Sequence, residues 1–147
     1  MKIEEYADKH QHYLSGEINN KDIKKLIKDA NNDKFVDIGC GDGSLLYGIH
    51  KLGYVTNFKE IWAVDLSENR LRSVKNISDN IKTVQDDAQF LNNLPDNYFN
   101  LVISTQVIEH VKDDNEMARS LFRVTAEKGT VYIDTVFKKK WAWYFYK

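Results

Sequence analysis

The chain has 147 residues, a length that fits one domain with a buried core. Hydrophobic residues make up 42% and charged residues 29%, which excludes an intrinsically disordered chain, and the formal net charge of -1 gives no whole-domain electrostatic basis for binding nucleic acid. Cys40 is the only cysteine, so an internal disulfide is excluded. The start of the chain lacks a signal peptide and no apolar run has membrane-spanning length, so we expect a cytoplasmic protein that does not bind membranes.

The N-terminal segment, residues 1–32, is predicted to be helical. Apolar and aromatic side chains over Ile3–Leu14 have helical spacing, which indicates a first helix. Asn20 is placed to cap a second helix, whose Ile23, Leu26 and Ile27 share one face.

Residues 33–137 alternate between short apolar runs and amphipathic stretches. The predicted strands are Lys34–Ile38, Glu60–Asp65, Ile81–Gln85, Tyr98–Ser104 and Thr130–Val136. The predicted helices are Ser44–Leu52, one capped by Ser67, and Asp113–Ala126, with Gly129 ending the last connection. This alternation predicts an α/β fold in which a Rossmann-like, doubly wound, mostly parallel sheet of about five strands carries helices on both faces. Ligands of such sheets bind at the carboxyl ends of the strands.

A glycine-rich loop follows the first strand in the sequence Val36-Asp37-Ile38-Gly39-Cys40-Gly41-Asp42-Gly43. Glycines there permit a tight turn and a close approach of a ligand to the backbone, although a plain strand-to-helix turn is an alternative. The spacing Gly-x-Gly-x-Gly differs from the dinucleotide fingerprint Gly-x-Gly-x-x-Gly. Asp37 beside the loop would repel a pyrophosphate and suits a ligand with an ammonium or sulfonium group.

Two further acids stand at the ends of the second and third predicted strands. Asp65 is placed to accept hydrogen bonds from ribose hydroxyls, with capping of the next helix as the alternative. Asp87 is placed to accept from an adenine amino group while the backbone of Ala88 meets a ring nitrogen; an ordinary polar loop is the alternative.

These residues resemble the class I S-adenosylmethionine (SAM)-dependent methyltransferases, and in particular the subgroup acting on small molecules. The loop after Val36 resembles their first motif, Asp65 lies at the second, and Asp87-Ala88 resembles the third. The segments Leu94–Ile103 and Val107–Val111 resemble the fourth motif, and Gly129-Thr130-Val131-Tyr132-Ile133 resembles the strand of the fifth. Two departures are Asn100 in place of an acid and Asp86 in place of a common glycine.

The resemblance implies SAM as the cofactor, a methyl group as the transferred group and a small molecule as the acceptor. It implies that the methionine end of SAM is held by the first acid and loop, and the adenosine by the next two strand ends. The residues implied in cofactor binding are Asp37, Gly39, Cys40, Gly41, Gly43, Asp65, Leu66, Asp87, Ala88, Ser104 and Gln106.

Glu109 and His110, just beyond the fourth strand, are the candidate catalytic residues, because carboxylate and imidazole side chains can act as general bases. The alternative, which we favour, is that both orient the loop or cap the following segment. His10 and His12 point apart on a helix, so no metal site is expected. Tyr6 and Tyr13 are instead candidates for a lid over the cofactor.

The tail, residues 138–147, carries five aromatic side chains after three lysines and would expose a large apolar patch unless covered. Truncation of a longer methyltransferase is the favoured explanation; homodimerisation through the tail is the second, and docking on the same domain the third. The function predicted is SAM-dependent methyl transfer to a small molecule. The alternatives are a non-catalytic or truncated SAM-binding domain and, less favoured, an NAD-dependent oxidoreductase.

Overall fold

A computed structural model of the protein describes Leu14 and residues 16–136. Five parallel strands form one sheet in the order β3-β2-β1-β4-β5. Their bounds are β1 Asp33–Ile38, β2 Phe58–Asp65, β3 Ile81–Gln85, β4 Phe99–Thr105 and β5 Thr125–Asp134. The predicted fold class is therefore confirmed. The first predicted helix before Leu14, with its lid and histidine pair, and the aromatic tail lie outside the described residues.

Four helices of the described chain connect or precede these strands: α1 Lys21–Asp29, α2 Ser44–Lys51, α3 Glu68–Lys75 and α4 Asp114–Val124. Short 3-10 helices cover Tyr54–Asn57 and Ile108–His110. The predicted caps are confirmed, because the Asn20 side chain accepts from the amides of Asp22 and Ile23, and the Ser67 hydroxyl accepts from the amide of Arg70. In this part of the chain no helix is both long and apolar enough to cross a bilayer.

Apolar residues cover the sheet on both faces. On one face, side chains of α1, α2 and α3 pack against strand residues such as Phe35 and Ile103. On the other face, Met117, Leu121 and Val124 of α4 pack against Val36 and Val102, together with the connection between β3 and β4. Neighbouring residues of one strand therefore point into different cores, which explains why the central strands are continuously apolar.

The last helix and the last strand differ from the sequence prediction. Helix α4 ends at Val124, not Ala126, and β5 begins at Thr125, whose buried hydroxyl donates to the carbonyl of Leu121 over 2.6 Å. Gly129 lies inside β5 at a register irregularity and does not end a connection. A Cβ at Gly129 would lie 2.9 Å from the carbonyl oxygen of Phe99, so close approach of two strands requires glycine there. The helical spacing of apolar residues in the sequence carries no information about this contact between two strands.

Candidate functional site

The strand register brings the predicted site residues to one edge of the sheet. Ile38 of β1 pairs with Val64 of β2, and Asp65 pairs with Gln85 of β3. The three loops that follow these strands therefore begin side by side. The amide of Asp86 donates to the carbonyl of Asp65 over 3.3 Å, which joins the second and third loops directly.

The glycine-rich loop turns through three left-handed residues, with φ values of 73° at Gly39, 55° at Gly41 and 87° at Gly43. A Cβ at Gly39 would lie 2.2 Å from a methyl carbon of Val107, so this glycine admits the segment after β4 against the loop. A Cβ at Gly41 would have a guanidinium nitrogen of Arg70 as its nearest neighbour at 3.6 Å, an ordinary contact distance, so a side-chain atom would fit there without overlap. The loop is therefore closely packed at Gly39 and less closely packed at Gly41.

The backbone amides of the loop are largely used within the protein. Those of Gly39 and Cys40 donate to the carbonyl of Val64 over 2.8 and 2.9 Å. The amide of Gly41 donates to Asp65 Oδ2 over 2.9 Å, and that of Gly43 donates to the carbonyl of Cys40 over 3.0 Å. A glycine-rich loop that holds a pyrophosphate does so through backbone amides that have no partner within the protein. The use of these loop amides inside the protein disfavours a dinucleotide, as the glycine spacing predicts.

Asp37 is a buried carboxylate with 3% relative exposure. Among the described residues, no group donates a hydrogen bond to it. Burial, and secondly the negative charge of Asp65, raise the pKa of Asp37 from 3.8 to about 7. A buried carboxyl without a partner is costly, and a cationic ligand would stabilise its ionised form.

Cys40 lies next to these acids in the loop and is also buried. Burial, followed by the charges of Asp37 and Asp65, raises the pKa of its thiol well above the usual value. The neutral thiol serves as a small packing group and not as a nucleophile.

Asp65 is buried at the end of β2 and uses both carboxylate oxygens. Oδ2 accepts from Gly41 and Oδ1 accepts from the amide of Ser67, both over 2.9 Å. The N-cap of α3 is Ser67, so the alternative in which Asp65 caps this helix is wrong. Each oxygen keeps a further lone pair, which leaves acceptor capacity for ribose hydroxyls. Leu66 follows, half-buried, and its carbonyl accepts from the side chain of Gln85.

The turn after β3 is built by two neighbouring acids. Asp86 accepts from the amide of Asp87 through Oδ1 and from the amide of Asn93 through Oδ2. Asp87 Oδ1 accepts from the amide of Gln89 over 2.8 Å, while Ala88 is buried beneath the turn. The departure at Asp86 therefore has a structural role, and Asp87 stays half-buried at the sheet edge.

The segment after β4 holds the remaining predicted residues. The buried hydroxyl of Ser104 donates to the carbonyl of Ile38, which fixes the end of β4 to β1. Gln106 is exposed, has a left-handed φ of 57° and donates its amide to the carbonyl of Asp134. Glu109 Oε2 accepts from the hydroxyl of Thr135 over 2.7 Å, whereas His110 is exposed.

Sequence reasoning missed several residues that shape this edge. Val107 packs on Gly39, and the Asn20 side chain donates to the hydroxyl of Tyr132 over 2.9 Å and to Asp134 over 3.2 Å. These contacts fix the start of α1 to the end of β5. No local pattern announces them, because the partners lie far apart in the chain.

The residues present fit a ligand that carries a cation and an adenosine. The carboxyl of Asp37, which has no donor among the described residues, suits the cation. A Cβ would fit at Gly41 without overlap, and Asp65 and Asp87 keep further acceptor capacity. His10 and His12 fall outside the described residues.

Comparisons with known proteins point to one family. The sequence model described as "Methyltransferase domain" matches residues 36–133. A ubiquinone biosynthesis O-methyltransferase of Proteus mirabilis is 26% identical over 112 residues, covering 76% of this chain and 45% of the relative. The chain spans about half the length of the curated relatives it matches.

Solved structures share the fold. A SAM-dependent methyltransferase from Aquifex aeolicus has a TM-score of 0.69 at 14% identity, covering 90% of this chain and 72% of that one. An S-adenosylmethionine-dependent methyltransferase from Mesorhizobium loti has a TM-score of 0.67 at 21% identity, covering 82% of this chain and 54% of that one. At these identities the likeness concerns the fold alone.

Proposed function

The chain belongs to the methyltransferase family, whose cofactor is SAM, and from this membership we propose that it transfers a methyl group to a small-molecule acceptor. The observation that carries the proposal is Asp37, a buried carboxyl without a described partner beside a loop whose amides are already used. That combination favours a cationic ligand over a phosphate.

We assign the cofactor contacts to three strand ends. Asp37 faces the cationic methionine end, with Gly39, Cys40, Gly41 and Gly43 forming the backbone beneath it. Asp65 accepts from the ribose hydroxyls, Leu66 packs against the adenine, and Asp87 with Ala88 reads the adenine edge. The backbone carbonyl of Ser104 accepts from the amino group of SAM, and Gln106 lies nearby. SAM, when bound, supplies a methyl group activated by its sulfonium.

The chain's contribution to the reaction is chiefly alignment. Holding a nucleophile in line with the methyl carbon can lower the barrier by roughly 7–11 kcal/mol. A general base is needed only for an acceptor that must lose a proton. Glu109 is held by Thr135, which supports its role in fixing the segment, and exposed His110 is the remaining candidate base.

The acceptor class is proposed from the relatives. The name of the curated relatives specifies O-methylation in ubiquinone biosynthesis. A small phenolic acceptor is therefore the first class to test. Polar side chains lie at the ends of β4 and β5. The carboxylates of Glu109 and Asp134 can accept hydrogen bonds from hydroxyls, and the amide of Gln106 can accept from or donate to them.

The test is release of S-adenosylhomocysteine (SAH) from SAM in the presence of a panel of small phenols. We expect acceptor-dependent SAH and a methylated product detected by mass. Asp65→Ala should abolish most of this release, whereas Glu60→Gln, at the opposite end of β2, should retain it. Binding of SAM without turnover of any acceptor would contradict the enzymatic proposal.

That outcome would favour the second candidate, a SAM-binding domain without turnover. One observation supports it. Strand β5 is an edge of the described sheet, with Val131 37% and Ile133 40% exposed near the acceptor end. Calorimetry with SAH and, in parallel, with NAD separates these two candidates from an oxidoreductase, because only an oxidoreductase is expected to bind NAD.

A further inference from the structure

We propose that Gln89 is a positioning residue that couples the turn carrying Asp87 and Ala88 to the segment carrying Glu109 and His110, so that cofactor bound at the first orders the second. The inference rests on the proposed function, because it needs a cofactor at the turn after β3. It goes beyond that function by linking the cofactor half of the site to the acceptor half.

The position of Gln89 is set by Asp87. The amide of Gln89 donates to Asp87 Oδ1 over 2.8 Å. The amides of Phe90 and Leu91 donate to the Asp87 carbonyl over 2.9 and 2.8 Å. A ligand that fixes the Asp87 side chain therefore fixes the backbone of Gln89 as well.

The side chain of Gln89 extends from this turn to the segment after β4. Its Oε1 accepts from the amides of Lys112 over 3.0 Å and Asp113 over 3.1 Å. These two amides come one residue after the 3-10 helix Ile108–His110, beyond Val111, and Asp113 is the N-cap of α4. One oxygen thus holds the end of the segment that carries the candidate acceptor residues.

The same segment has other contacts besides those to Gln89, since Val107, Ile108 and Val111 pack against the core. Glu109 is bonded to Thr135, which is exposed beyond the end of β5, and His110 is exposed. The half-buried Gln89 supplies two internal hydrogen bonds to this segment, and they originate in the adenine-reading turn.

The backbone around Gln89 has independent anchors on α4. The Ser120 hydroxyl donates to the carbonyls of Gln89 and Phe90 over 2.9 and 3.1 Å. The guanidinium of Arg123 donates to the carbonyls of Leu91 and Leu94. Because these bonds do not use the Gln89 side chain, its replacement should leave the turn docked and the protein folded.

The experiment is amide hydrogen exchange with and without SAH, read in peptides covering residues 85–93 and 106–114. In the natural protein we expect SAH to slow exchange in both peptides. In Gln89→Leu, SAH should still slow exchange in 85–93 but not in 106–114, and the amides of Lys112 and Asp113 should exchange about tenfold faster.

Two further variants separate coupling from general damage. Gln89→Glu keeps an acceptor oxygen next to the N-terminus of α4 and should restore the natural pattern. Asn92→Ala lies in the same connection, and its side chain has no hydrogen bond within the described part of the chain. It should behave like the natural protein.

The outcomes distinguish this inference from the function on which it rests. Persistence of the SAH effect on residues 106–114 in Gln89→Leu would overturn the coupling role and point to the contact of Val107 with Gly39 instead. An SAH effect in the natural protein confined to 85–93 would overturn it too, while leaving the proposed function intact. No SAH binding by the natural protein in calorimetry would overturn both.

Discussion

The two ends of the sheet treat a buried or half-buried carboxylate in opposite ways. Near the amino end of β2, Glu60 accepts from Trp62 over 2.9 Å, from Lys82 over 3.0 Å and from Tyr98 over 3.0 Å. These bonds lower the pKa of Glu60 from 4.5 to about 2. At the carboxyl end, Asp37 has no described donor, and burial raises its pKa to about 7.

The difference separates a structural end from a functional end. The protein itself supplies every partner that Glu60 needs, and Glu60 in return ties β2, β3 and the start of β4 together. We propose that the carboxyl group of Asp37 is stabilised by a bound ligand. A buried carboxyl group with a raised pKa is typical of binding sites.

The largest predicted effect is on the pH dependence of stability. Asp37 has a pKa near 3.8 when unfolded and about 7 when folded, so the folded state binds more protons between these values. The free energy of unfolding should therefore fall as pH rises from about 4 to about 7, by on the order of 4 kcal/mol. Urea unfolding of the ligand-free protein and of Asp37→Asn across this range measures the difference.

Asp37→Asn should lack this fall and gain stability relative to the natural protein as the pH increases.

Glu60→Gln should show a pH dependence of stability that differs from the natural protein in the opposite direction. The low pKa of Glu60 stabilises the fold above pH 4.5, and this contribution should be lost as pH falls toward 2. For Asp37, the contradicting result is a free energy of unfolding that changes with pH in the same way in the natural protein and in Asp37→Asn. That result would show that the carboxyl of Asp37 is not held neutral in the fold.

The second prediction compares two glycines with nearly the same φ, one at each end of the sheet. Gly39 has φ 73° and Gly53 has φ 75°. A Cβ at Gly39 would lie 2.2 Å from Val107, whereas one at Gly53 would meet nothing within 4 Å. Alanine at either position costs about 1–2 kcal/mol for the left-handed backbone. At Gly39 the overlap adds about 1–3 kcal/mol.

Chemical denaturation of Gly39→Ala and Gly53→Ala measures the two costs directly. Gly39→Ala should also weaken SAH binding, while Gly53→Ala should not, because only Gly39 lies in the loop. Equal losses of stability in the two variants would mean that Val107 does not pack on the loop as described.

The smallest effect is expected at His110. The ring is exposed, so His110→Ala should change the free energy of unfolding by less than about 0.5 kcal/mol. SAH affinity should stay unchanged, since His110 faces the acceptor half in this account. A tenfold weaker SAH affinity in His110→Ala would instead assign the ring to the cofactor half.

Local signals predicted much of the molecule. The strand runs, the caps at Asn20 and Ser67 and the acids at Asp37 and Asp65 all follow from short-range patterns. The glycine spacing predicted a loop that differs from a dinucleotide-binding loop, and in the structure its amides donate mainly within the protein. These features depend on neighbouring residues, which a sequence displays directly.

Features that depend on tertiary register were missed. The bonds of Gln89 to Lys112 and Asp113 span 23 and 24 positions, and the bond of Tyr98 to Glu60 spans 38. The early start of β5 depends on the approach of Gly129 to Phe99 across the sheet. Such contacts become visible only when the strands are paired.

Calorimetric titration of the protein with SAH, with NAD in parallel, tests the central claim that the carboxyl ends of β1 to β3 form a SAM site. The account predicts SAH binding, at least about tenfold weaker in Asp65→Ala, unchanged in Glu60→Gln, and no binding of NAD. Binding of NAD without SAH, or an SAH affinity that Asp65→Ala leaves intact, would contradict it.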